Sequence, residues 1–153
     1  MSARYPVMLA VSRLHVLVVG GGQVALRKVA ALVEAGALPD VIAPELHPEL
    51  RALIELHGLD WEARRYAPGD VGIYHLVFAA TDSTEVNARV AREAEDSGAL
   101  VNVADDGADS SFHVPATIRH DDVVVAFSTG GASPLLARRL RERLEAVVTA
   151  GLG

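Results

Sequence analysis

Val16-Leu17-Val18-Val19-Gly20-Gly21-Gly22-Gln23-Val24-Ala25-Leu26-Arg27-Lys28 decides how this chain is read. An apolar run of strand length meets three glycines, and a helical pattern begins at once. The spacing is Gly-x-Gly-x-x-Ala, the shape of a phosphate-binding turn between a first strand and the helix after it. Gly20 permits the tight turn, Gly22 lets backbone approach a pyrophosphate, and the small Ala25 lets helix and strand pack closely. The helix N-terminus offers unpaired N–H groups and a partial positive charge to an anion. Glycine turns also join strands to helices with no ligand, so the motif alone argues for a nucleotide without proving one.

Composition narrows the classes. With 153 residues, half of them hydrophobic, the chain buries roughly 68–70 % of its unfolded surface, enough for one domain and a small appendage. A net charge of −6 argues against a general nucleic-acid binder, which needs a basic face. The absence of cysteine removes disulfides, thiolate catalysis and cysteine metal sites. The opening Met1–Val11 stretch is too short and too broken by Pro6 for a secretory signal, and no apolar run approaches the ~20 residues of a membrane span. A soluble, cytoplasmic protein is expected.

Outward from the glycine turn, strands and helices alternate. Val24, Leu26, Val29, Ala30, Leu32 and Val33 recur at helical spacing up to Gly36. Val41-Ile42-Ala43 reads as a second strand. Leu46, Leu50, Leu53, Ile54 and Leu56 mark a helix closed by Gly58, and Leu59–Ala63 alternates as a third strand. After the Pro68-Gly69-Asp70 turn, Tyr74–Ala80 is a buried strand ending at Thr81-Asp82. Ser83 caps the next helix, with Val86, Val90 and Ala94 facing inward and Gly98 ending it. Ala99–Val103 is a fifth strand, with Asp105 just beyond its carboxyl end. The pattern predicts an α/β fold with a doubly wound parallel sheet, ligands lying at the carboxyl ends of its strands.

From about Phe112 the pattern changes. His113–Ile118 and Val123–Ser128 flank the polar turn His120-Asp121-Asp122, which predicts an antiparallel hairpin. Ser133 caps a last helix with Pro134 at its first position and an apolar stripe of Leu136, Leu140, Leu144 and Val147. The expected division is 1–111, a nucleotide-binding domain, and 112–153, a small α+β region. A hairpin and one helix bury little alone, so this region needs a partner surface, most simply a second copy of the chain.

Three places carry candidate chemistry. Nicotinamide-binding folds usually place an acid after the second strand to hold ribose hydroxyls. Here the segment is Ala43-Pro44-Glu45, with Glu45 slightly late and equally readable as the first turn of the next helix. No arginine sits there to favour a 2′-phosphate, which mildly prefers NAD over NADP. Asp105 is positioned to accept a proton while hydride leaves a substrate, although Asp106 and Asp109 beside it also fit a solvated loop. No metal site is assigned, because neither these aspartates nor the scattered histidines show a recognised ligand spacing. Ser128-Thr129-Gly130-Gly131-Ala132-Ser133-Pro134 is a second glycine turn entering a helix, an anion site or an ordinary connection. Arg138, Arg139, Arg141 and Arg143 follow it, either as a solvated face or as carboxylate receptors.

Taken together, Tyr5-Pro6-Val7, the Val18–Lys28 turn, Ala79-Ala80-Thr81-Asp82, Asn102-Val103-x-Asp105, Ser111-Phe112-x-x-Pro115-Ala116 and the Ser128–Pro134 loop resemble the precorrin-2 dehydrogenases of sirohaem biosynthesis, which also form the N-terminal module of sirohaem synthases. The resemblance covers essentially the whole chain. It implies a Rossmann-type domain, a dimerisation hairpin and helix, and NAD-dependent oxidation of precorrin-2 to sirohydrochlorin by a homodimer. By residue match it implies cofactor contacts at Gly20, Gly22, Gln23, Val24, Ala43, Pro44, Glu45, Thr81 and Asp82. Asp105 takes the place of the family's key aspartate, and Asn102, Ser128, Gly130, Gly131 and Ser133 shape the tetrapyrrole crevice. Some members also insert iron or cobalt. Familiar members continue into a further helical segment beyond Gly153, which bears more on chelation than on dehydrogenation. Two alternatives stay open: a chelatase acting on sirohydrochlorin, and a tetrapyrrole- or nucleotide-binding module without turnover.

Overall fold

A strand with no polar side chain needs cover on both faces, and the first strand sets the architecture for that reason. In the computed structural model, which describes residues 4–104, 109–130 and 133–151, β1 (Val16–Val19) is buried along its whole length. Val16 and Val18 point into one apolar cluster, Leu17 and Val19 into another. The same alternation holds in β4 (Leu76–Ala79), where Leu76 and Phe78 join the first cluster and Val77 and Ala79 the second. The first cluster is closed by α1 (Gln23–Glu34) through Ala25, Val29 and Leu32, and by α2 (Pro48–His57) through Leu50 and Ile54. The second is closed by α3 (Thr84–Ser97) through Val90, Ala91 and Ala94. With β2 (Asp40–Ile42), β3 (Trp61–Glu62) and β5 (Leu100–Val103), the strands form a parallel sheet in the order β3-β2-β1-β4-β5. This is the doubly wound α/β sheet expected, and its order reverses between β1 and β4.

Several edges differ from the sequence reading. The third strand is two residues, Trp61–Glu62, rather than Leu59–Ala63. The second helix starts at Pro48, so Leu46 and Glu45 lie before it, and Leu56 faces solvent. No helix joins β3 to β4. Residues 63–75 are held instead by side chains: Glu93 of α3 accepts the N–H groups of Gly69 (2.9 Å) and Val71 (3.0 Å) and the Tyr66 hydroxyl. Asp70 receives Arg64 through two contacts of 2.7 and 2.8 Å, and the Ala67 N–H at 2.7 Å. Burial and the neighbouring Glu93 push the Tyr66 hydroxyl well above its usual range, which keeps it a donor.

The edge strand β5 is blunted by serines. The Ser111 hydroxyl accepts the Val101 N–H at 2.8 Å, and the Ser110 hydroxyl accepts that of Val103 at 2.9 Å. An edge left open would template pairing with another chain.

Contacts divide the chain into two units, Met1–His113 and Val114–Gly153. The second contains the antiparallel pair β6 (Ala116–His120) and β7 (Val123–Phe127), and then α4 (Pro134–Gly151). His120 is the last residue of β6 rather than part of the turn, which is made by Asp121, at φ 50°, and Asp122. Among the described residues of this unit only Ile118 is buried. Of the expected stripe of α4, Leu136, Leu140 and Val147 are exposed and Leu144 is half-buried, and Leu135 beside it is exposed too.

Candidate cofactor site

The site forms where the strand order reverses, between the turns that follow β1 and β4. Gly20 has φ 131°, which side chains rarely adopt, and a Cβ there would lie 2.2 Å from the Ala80 carbonyl oxygen. Its N–H donates to Ile42 O (2.9 Å), and Ala80 N–H donates to Val19 O (2.8 Å), so the turn is tied to both neighbouring strands. Gly21 is packed against the connection after β2: a Cβ would meet Glu45 O at 1.9 Å, and His47 N–H donates to Gly21 O at 2.7 Å. Gly22 differs from both, with nothing within 4 Å of where a Cβ would stand. Two glycines press the turn onto the scaffold, and the third faces open space.

That open space adjoins an uncapped helix. Gly22 is the N-cap of α1 and supplies no side-chain hydrogen bond, and the first internal bond is Leu26 N–H to Gly22 O (3.0 Å). The N–H groups of Gln23, Val24 and Ala25 are therefore left for a ligand. The other helices are capped by their own side chains: His47 Nδ1 accepts from Glu49, Ser83 Oγ from Val86, and Ser133 Oγ from Leu136. This donor set would suit the pyrophosphate of a dinucleotide, and around it Gly22 and Gln23 are exposed and Val24 is half-buried.

The walls are set by two further clamps. Ala43 is buried, and its carbonyl accepts the Trp61 indole N–H at 2.9 Å, while Arg51 stacks on that indole at 4.8 Å. Pro44 and Glu45 emerge beyond it, exposed. Thr81 is gripped by Asn87 of α3: its N–H (3.1 Å) and hydroxyl (2.7 Å) donate to Oδ1, and Nδ2 donates back to its carbonyl (3.1 Å). Thr81, Asp82, Thr84, Asn87 and Val103 line a recess of about 120 Å3 beside this clamp.

Of the other residues expected in the site, Asn102 is buried on β5, and its amide donates to Phe112 O at 3.1 Å. Ser128 and Ser133 belong to the second unit, where each hydroxyl accepts a local N–H, from Gly130 (3.2 Å) and Leu136 (3.2 Å). Gly130 adopts φ 63°, which explains glycine there. Asp105 and Gly131 lie outside the described residues. The structure thus brings together Gly20, Gly22, Gln23, Val24, Ala43, Pro44, Glu45, Thr81 and Asp82 around the reversal point.

Three residues of this site lie outside the fixed positions of the Gly-x-Gly-x-x-Ala motif and its flanking strands. Gly21 occupies a variable position of that motif, and only its packing against Glu45 reveals why it is glycine. Asn87 could have been found as an amide sharing the inward helical face with Val90, Ala91 and Ala94. Trp61 could have been found as the chain's one tryptophan, on the alternating stretch Leu59–Ala63.

Fold and site define a dinucleotide-binding unit of the Rossmann type. Residues 7–116 match the family model described as putative NAD(P)-binding, and residues 125–146 match that of the sirohaem biosynthesis protein central region. The structure is similar to the solved structure of "SirC, precorrin-2 dehydrogenase", with a TM-score of 0.82 and 32 % identity, covering 94 % of this chain and 70 % of that one. The chain belongs to the precorrin-2 dehydrogenase family. It is 46 % identical to the siroheme synthase of Chromobacterium violaceum over 149 residues, covering 97 % of this chain and 32 % of that protein. It is 41 % identical to that of Zymomonas mobilis over 148 residues, covering 97 % and 31 %. The chain thus spans about a third of the length of these curated relatives.

Proposed function

We propose that this chain oxidises precorrin-2 to sirohydrochlorin with NAD⁺ as hydride acceptor. The observation that carries the reading is the uncapped N-terminus of α1, opening at Gly22 onto the point where the sheet order reverses. Bound there, NAD⁺ supplies an electrophilic ring that takes up two electrons and one hydrogen as hydride. The chain's own residues do the rest. Gly20 and Gly21 hold the turn rigid, so the N–H groups of α1 face the phosphates without rearrangement. Asn87 fixes Thr81, and with it the Thr81-Asp82 wall. Asp105, two residues beyond β5, accepts the proton that leaves the macrocycle as the hydride departs, so the oxidation balances as one hydride and one proton. Asn102 of the first unit is a candidate tetrapyrrole contact, and Ser128, Gly130, Gly131 and Ser133 are candidate contacts on the second.

The working species is a homodimer, its second unit covered by a second copy of the chain. The open apolar side chains of α4 support this, since an 18-residue helix with no buried residue has its stripe unmatched. Among the described residues no helix is long and apolar enough to cross a membrane; a cytoplasmic place suits the water-soluble polycarboxylate substrate of this reading.

Replacing Asp105 by Ala tests the assigned chemistry. Turnover should fall by about 10²–10⁴-fold, with NAD⁺ affinity within about twofold of the parent. Unchanged turnover would remove Asp105 from the mechanism.

A further inference from the structure

Lys28 is the only lysine among the chain's 14 lysine and arginine residues. It sits on α1, half-buried, with its ammonium 5.7 Å from the centre of the Phe78 ring. Phe78 lies on β4 on the face of the sheet that α1 covers, and Phe112 meets it edge-on at 5.6 Å. Asn102 is the register partner of Phe78 on β5, so the two side chains share that face, and its amide holds the Phe112 carbonyl. Among the described residues no carboxylate pairs with Lys28, whereas Arg64, Arg89 and Arg138 all have acidic partners. Burial, with Arg27 beside it, pulls the Lys28 ammonium below its usual range. A cation held half out of water over an aromatic ring, without a counter-ion, is stabilised by any anion that reaches it.

We propose that Lys28 is a substrate-recognition residue whose ammonium, standing over Phe78 on the same sheet face as Asn102, takes a peripheral carboxylate of the tetrapyrrole. The inference rests on the dehydrogenase reading above and adds a residue to it. A cofactor phosphate is the other anion at hand. Its donors, however, are the N–H groups at Gln23 to Ala25, and Lys28 lies five residues past Gln23, roughly 7.5 Å along the axis. The ring beneath Lys28 belongs to β4, not to the glycine turn.

The full chain tests this with Lys28→Met and Lys28→Arg. Sirohydrochlorin is titrated by absorbance and NAD⁺ by calorimetry. In Lys28→Met, sirohydrochlorin should bind about tenfold or more weakly, the loss of one charge-assisted contact. NAD⁺ affinity should stay within about twofold, and the melting temperature of the free chain should hold or rise, because an unpaired charge has left a half-buried place. Lys28→Arg should recover most of the lost affinity. A lone lysine also permits direct chemistry: sirohydrochlorin, and not NAD⁺, should shield Lys28 from amine acylation. Tetrapyrrole affinity within twofold of the parent in Lys28→Met would overturn the proposal, as would an equal loss for NAD⁺. If the parent chain binds no sirohydrochlorin, the dehydrogenase reading fails and Lys28 falls with it. If the parent binds and turns over substrate while Lys28→Met is indistinguishable from it, Lys28 alone fails.

Discussion

The two units of this chain solve opposite halves of one problem. Met1–His113 buries every side chain of β1 and β4 between helices on both faces of a sheet. Val114–Gly153 has a longer helix than any in the first unit, yet α4 buries nothing and Ile118 alone is buried among the unit's described residues. The first unit covers both faces of its sheet, and its glycine turn leaves open space at Gly22. The second leaves apolar side chains of α4 exposed, a surface that a second copy of the chain would cover under the proposed function.

The largest effects should come from the closed unit. Leu17→Ala removes a side chain with no exposure and should cost about 3–5 kcal/mol in chemical denaturation. Gly20→Ala should cost about 3 kcal/mol or more, because the new Cβ meets a backbone oxygen and the φ is left-handed. Gly22→Ala breaks the pairing: with open space around it, it should leave stability within about 0.5 kcal/mol and weaken NAD⁺ binding instead. Equal destabilisation by both glycine substitutions would erase the distinction between scaffold and ligand glycines.

The open unit should respond through assembly. In sedimentation the parent should run as a dimer, and Leu136→Asp with Leu140→Asp as a monomer that keeps its NAD⁺ affinity. A parent chain monomeric at tens of micromolar would contradict the covered-helix account. Next in size is Asn87→Leu, expected to cost about 1–3 kcal/mol by leaving Thr81 without its partners, and to loosen NAD⁺.

The smallest effect is acid sensitivity. Arg64 and the Ala67 N–H hold the Asp70 carboxyl below its usual range. Its contribution to stability is therefore present above the unfolded-state value of about 3.9 and lost as pH falls through the lower folded value. Asp70→Asn should flatten the stability curve below about pH 4, read by acid titration of the unfolding midpoint.

Most of the first unit is legible in its sequence, because the signals are local. The β1–Gly20–α1 passage, Ser83 as a cap and Gly58 and Gly98 as left-handed stops each depend on a few adjacent residues. What escapes is long-range. That Gly21 must be glycine depends on Glu45, 24 positions away. The Glu93 clamp replaces a crossover helix with contacts spanning 22 to 27 positions. The serine cover of β5 depends on Ser110 and Ser111 turning back along the strand. In the second unit the elements are equally legible, but an apolar stripe reads the same whether its cover lies in the same chain or another.

The most direct test of the whole account is anaerobic absorbance after mixing the chain with precorrin-2 and NAD⁺, following NADH and sirohydrochlorin together. The account predicts that both appear in equal amounts and that neither forms without the other. Saturable NAD⁺ binding with no NADH formed from precorrin-2 would contradict it.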